Sequence, residues 1–215
     1  MNIMYKTEKY LNIIMAAVLA ISLMTAGVSE GFFAAGNVRN ECLRLHVLAS
    51  SDSEADQKVK LLVRDALLES SAGLFEESTD SEDAVEKILE NKAFLEETAN
   101  EVLRENGFSY TAKISIEEEY FETRQYEDVK LPSGTYTACK VILGEGKGQN
   151  WWCVMFPPLC LPAAMEKNEE EVYAVFGENG GDLVTEKSGY KIKFKIVEIV
   201  EEIIEAIKNH NLSAR

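Results

Sequence analysis

Near Tyr110 the spacing of apolar residues in this 215-residue chain changes from a helical repeat to strict alternation. That switch restricts the fold to helices followed by consecutive strands. Upstream of it, Ser51 and Glu54 have capping-box spacing, and Val59, Leu62, Val63, Ala66 and Leu67 then fall on one face of a helix expected to end near Leu74. A second helix is expected from Ser81, burying Val85, Ile88, Leu89, Leu95, Ala99, Val102 and Leu103 and stopping at Gly107. Downstream, "YTAKISIEEEYF", "TYTACKVILG" and "NWWCVMF" read as strands separated by "LPSG" and "GEGKGQN" turns. Ahead of the first helix, "CLRLHVLAS" alternates Leu43, Leu45, Val47 and Ala49 with Arg44 and His46, which is the pattern of a half-buried strand. Strands joined by short glycine turns pair antiparallel most readily. The expected class is α+β: a two-layer, mostly antiparallel sheet with two helices packed on one face, plus an N-terminal leader and an acidic C-terminal helical tail.

The ends of the chain divide into further segments. Lys6 and Lys9 precede the uncharged run Leu11 to Val28, so residues 1–28 read as an export signal, either cleaved or kept as a membrane anchor. Residues 29–40 are expected to be a glycine-containing linker, residues 41–165 the α+β domain, and residues 166–215 an acidic tail. That tail closes in an amphipathic helix carrying Ile196, Val197, Ile199, Val200, Ile203, Ile204 and Ile207. The formal net charge of -15 repels a polyphosphate surface, and no Lys/Arg cluster offsets it, so nucleic acid is not an expected partner. A membrane is expected only through the N-terminal segment, if uncleaved.

No enzyme signature emerges. The chain has two histidines, and neither His46 nor His210 has the neighbours of a zinc site or a Ser-His-Asp triad. "GEGKG" lacks the spacing of a phosphate loop and reads as a flexible hairpin. No catalytic residue, cofactor or metal is expected. The four cysteines Cys42, Cys139, Cys153 and Cys160 allow three fully paired arrangements. A short loop with Pro157 and Pro158 favours Cys153 with Cys160, and buried free thiols are the alternative.

Trp151 and Trp152 are neighbours on an expected strand, so they point to opposite faces. Either both are core aromatics, or one belongs to a contact surface framed by the proline turn. The candidate partner-binding residues are Trp151, Trp152, Phe156, Pro157, Pro158 and Leu159, with Arg44, His46 and Asp52 as polar contacts.

Two stretches carry a resemblance. "RLHVLASSDSEADQKVKLLVRDAL" from Arg44 to Leu67 and "FETRQYEDVKLPSGTYTACKVILGEGKGQNWWCVMFPPLC" from Phe121 to Cys160 together resemble the stage II sporulation protein R family of spore-forming bacteria. Glu122, Arg124 and Glu127 depart from that family's pattern in the loop, and Cys139 stands where the pattern needs no cysteine. The resemblance implies a secreted signal, not an enzyme. Such a protein is exported from the forespore into the intermembrane space, where it activates a membrane-embedded aspartic protease that cleaves the sigma-E precursor. The alternatives are an extracytoplasmic enzyme acting on cell wall or thiols, and a structural septal protein.

Overall fold

The computed structural model describes residues 14–15, 22, 29–75, 78–126, 129–157, 169–187 and 190–213. Within them a four-stranded sheet is built from β1 (Leu43–Leu48), β2 (Ala112–Phe121), β5 (Gly134–Leu143) and β6 (Asn150–Phe156) in the order β2-β5-β1-β6. A two-stranded hairpin, β3 (Arg124–Tyr126) and β4 (Val129–Leu131), stands apart from it. The fold is α+β, and its sheet is mixed. β5 runs antiparallel to β2, β6 runs antiparallel to β1, and the central pair β1 and β5 is parallel, with Leu45 opposite Cys139. Alternation within a strand fixes which side chains share a face but says nothing of strand direction, so this pairing was not visible locally.

The first face of the sheet packs against α2 (Glu54–Ala72), α3 (Ser81–Glu90) and α4 (Lys92–Glu105). α2 starts two residues later than the capping-box spacing suggests. Ser53 is its N-cap and accepts from the Asp56 backbone N–H. The single second helix expected from the periodicity is two helices, because Asn91 folds its side-chain amide back onto the Lys87 carbonyl at 2.9 Å and closes α3 there. Gly107, at φ 82°, ends α4 as expected, and the Phe108 N–H donates to the Leu103 carbonyl. Leu45, Val47, Val63, Ile88, Leu95, Leu103, Val141 and Leu143 are wholly buried between these layers. Burying side chains of that kind contributes about 1.5–3 kcal/mol each.

The second face is covered as well, which corrects the two-layer expectation. Residues 29–40, expected as a linker, form a helix (α1) whose Ala34, Ala35 and Val38 are buried. α5 (Glu169–Val184) and α6 (Tyr190–Ser213) come from the segment expected as an appended tail. Val172, Phe176 and Val184 join Val38, Cys42, Tyr136, Ala138 and Val154 in one cluster. Phe194 and Val197 pack with Ala34, Ala35 and Leu183 in another. The acidic composition had suggested a solvated tail, but its apolar residues recur at helical spacing and bury against the sheet. Glu30 ties α1 to α6 through Lys193 Nζ at 2.7 Å and the Tyr190 hydroxyl at 2.9 Å.

Among the described residues no helix is long and apolar enough to cross a membrane. The run Leu11 to Val28 lies almost wholly outside them.

Candidate functional site

β6 separates the two tryptophans as its period dictates. Trp151 points to the helical face, where it packs half-buried against the main core with the Arg64 guanidinium 4.5 Å above its ring. Trp152 points to the second face, where the Arg124 guanidinium lies 4.7 Å from its ring centroid and the His46 ring 5.6 Å away. Each indole therefore meets water beside an arginine, an arrangement favourable by about 0.5–1 kcal/mol at exposed sites.

Around Trp152 the second face carries a strip of charge. His46 Nδ1 lies 2.6 Å from Glu119 Oε2, and its Nε2 lies 3.0 Å from Asn150 Oδ1. Lys140 Nζ bridges Glu119 Oε1 at 2.7 Å and Glu117 Oε2 at 3.0 Å. Glu119 sits on β2 and His46 on β1, with β5 between them. The methyl of Ala138 on β5 leaves the carboxylate room to reach across. The hydrogen bond to Glu119 raises the Lys140 ammonium above the usual lysine range. Both ring nitrogens of His46 are engaged, so the ring is held in place by two strands.

Arg44, expected as a surface contact, is wholly buried. Its Nε donates to the Cys153 carbonyl at 3.0 Å and its Nη2 to the Tyr126 hydroxyl at 2.8 Å. Phe121 and Tyr136 stack on it at 4.3 and 5.0 Å. This guanidinium organises the core of the second face and no partner can reach it. Phe156 and Pro157 are buried too, Phe156 edge-on to Phe75 at 6.0 Å. Buried positions of this kind hold the fold together and are closed to a partner. His46 is 7 % exposed, so it acts on the surface through Trp152 and Glu119. Pro158, Leu159 and Cys160 lie outside the described residues.

Asp52 is exposed, and its Oδ1 accepts from the Gln149 N–H at 2.8 Å. This bond belongs to a seam between the loop after β1 and "GEGKG", which is not a free hairpin. Gly148 N–H donates to the Ala49 carbonyl at 2.9 Å and Lys147 N–H to the Ser50 carbonyl at 3.2 Å. The buried Lys60 ammonium donates to the Gln149 carbonyl at 2.9 Å, and its burial lowers its pKa. Burial opposes ionisation of Asp56 beside it, yet hydrogen bonds from Ser51, Tyr110 and Ser53 hold its carboxyl below the usual aspartate range. Sequence reasoning missed Lys60, Asp56 and Tyr110; the signal was two charged residues at apolar positions of the α2 repeat.

Cys153 is disulfide-bonded, whereas Cys42 and Cys139 are free and buried. Burial pushes each of these two thiols up to about 12. Neither is expected to react with a thiol reagent in the folded protein, and both should label once denaturant is added. Labelling of either under native conditions would contradict their placement. Among the described residues no group of three or more His, Cys, Asp or Glu is placed to hold a metal ion.

The sequence matches a family model described as "Stage II sporulation protein R (spore_II_R)" over residues 39–166. It is also 29 % identical over 185 residues to the "Stage II sporulation protein R" of Bacillus subtilis (strain 168), covering 77 % of this chain and 83 % of that one. No solved structure matches it.

Proposed function

This chain belongs to the stage II sporulation protein R family, and on that premise we propose that it is an exported signal of sporulation. It crosses from the forespore into the intermembrane space and activates a membrane-embedded aspartic protease that processes the sigma-E precursor. The observation that carries the reading, beside the family itself, is the half-exposed pair Trp152 and Arg124 on a rigid sheet face. Tryptophan and arginine dominate binding hot spots, and a side chain already held by the fold loses little entropy on docking. The charged strip of Glu119, Lys140 and Glu117 beside them supplies orientation.

Co-expression with the protease and the sigma precursor tests this, with cleavage read on a gel. Cleavage is expected with the full chain and not with a chain lacking residues 1–28, which stays on the wrong side of the membrane. Trp152→Ala, with folding verified by circular dichroism, is expected to lower cleavage about tenfold or more, the effect of losing one hot-spot contact. Cleavage that proceeds equally without this protein would refute the signalling role. Undiminished cleavage by Trp152→Ala would refute the site alone.

A further inference from the structure

α6 does more than cover the sheet: between it and the end of β2 lies an open cavity of about 470 Å³. Its walls are acidic. Glu122 comes from the segment after β2, and Glu198, Glu202 and Glu205 come from successive turns of α6. Glu198 is neutralised by Lys195 at 2.5 Å, and the nearby Glu201 by Arg39 at 3.0 Å. Glu122, Glu202 and Glu205 make no ion pair among the described residues, and no lysine or arginine lines the cavity. Burial, followed by the charges of Glu201, Glu202 and Glu205, raises the Tyr120 phenol beside them above its ordinary range.

Ser133 faces the same cavity from between β4 and β5. It is 1 % exposed, and its Oγ has no hydrogen-bond partner. The Tyr120 hydroxyl is near enough for this serine to influence its ionisation, but the pair does not meet hydrogen-bond geometry. A buried hydroxyl without a partner costs about 1–3 kcal/mol, and a donor entering the cavity would relieve it. The carboxylates are too dispersed to form a metal centre. They suit a cation that brings several separated N–H donors.

We propose that this cavity binds an organic cation through its primary ammonium groups, with one ammonium on Ser133 Oγ and the others between Glu122, Glu202 and Glu205. The chemistry is shared by free polyamines and by lysine side chains of a protein. One wall belongs to the residues that match the family and the other to α6 beyond them, so the site does not depend on the protease contact at Trp152.

Isothermal titration of the full-length protein in detergent separates the two sources, with spermidine as one probe and an end-capped Lys-Gly-Lys peptide as the other. At least one probe is expected to bind saturably at one per chain. Tighter binding of spermidine assigns the site to a free polyamine, and tighter binding of the peptide assigns it to lysines of a protein. Glu202→Gln with Glu205→Gln is expected to weaken binding at least about tenfold, as for lost charge-assisted hydrogen bonds, and Ser133→Ala about threefold. Glu101→Gln, exposed on α4, should change nothing. Absence of saturable binding, equal binding to the double variant, or displacement by Mg²⁺ at equal charge would overturn the proposal. Should Ser133→Ala fail to fold, the double variant, at two exposed or half-exposed glutamates, carries the test alone.

Discussion

Gly148→Ala is expected to lower the unfolding free energy by about 3 kcal/mol or more. A Cβ at that position would stand 2.2 Å from the Ser51 carbonyl oxygen and 2.5 Å from its carbon, the closest approach at any described glycine. Both obstacles are backbone, so no side chain can rotate away. Relief requires the hairpin to lift, which breaks the bonds of Gly148 N–H to Ala49 and of the Lys60 ammonium to Gln149. Lys60 would then be left buried without its acceptor. Urea unfolding measures this as a fall in midpoint at constant slope. Lys147→Ala in the same turn, where the side chain is 74 % exposed, should stay within about 0.5 kcal/mol of the parent. Equal stability of Gly148→Ala would show that the loop and the hairpin do not meet as described.

Arg44→Ala should cost about 3–5 kcal/mol, by a different mechanism. The substitution removes a wholly buried side chain from among Phe121, Tyr126 and Tyr136, and it strands the Cys153 carbonyl and the Tyr126 hydroxyl without their donor. Nη1 of this guanidinium has no partner of its own, and no carboxylate among the described residues pairs with it. The charge itself therefore contributes little to stability, and Arg44→Met, which keeps most of the volume, is expected to lose much less than Arg44→Ala. Arg44→Lys keeps the charge but not the flat surface that the rings stack on, and it should behave worse than its conservatism suggests. The same unfolding assay ranks the three. A methionine variant as unstable as the alanine variant would mean that the two hydrogen bonds, and not the volume, hold this face together.

What could be read from sequence was whatever repeats locally. Alternation placed Leu43, Leu45 and Val47 on one face and Arg44 and His46 on the other, and it set Trp151 and Trp152 back to back. Gly107 marked the end of α4 because only its left-handed backbone allows the closing bonds there. Properties that depend on distant partners were not legible. The parallel pairing of β1 with β5 spans about ninety residues of chain, and no pattern inside either strand encodes it. Arg44 looked like a surface residue because a charge on an alternating strand is normally solvated. Its burial requires Phe121, Tyr126 and Tyr136, from three later segments, to assemble over it. The acidic cavity was hidden for the same reason, since its walls lie some eighty residues apart.

The covering of the second face has a practical consequence for anyone who trims this protein to its family boundaries. Val38, Phe176 and Val184 all fall outside residues 39–166, yet they shield Cys42, Tyr136, Ala138 and Val154. A fragment with those limits would keep every strand and shed the lid, presenting a bare greasy surface to water. Such fragments stick to one another. Poor solubility of a trimmed version would thus reflect where the scissors fell, and a sporulation assay run with it would be testing a peeled protein.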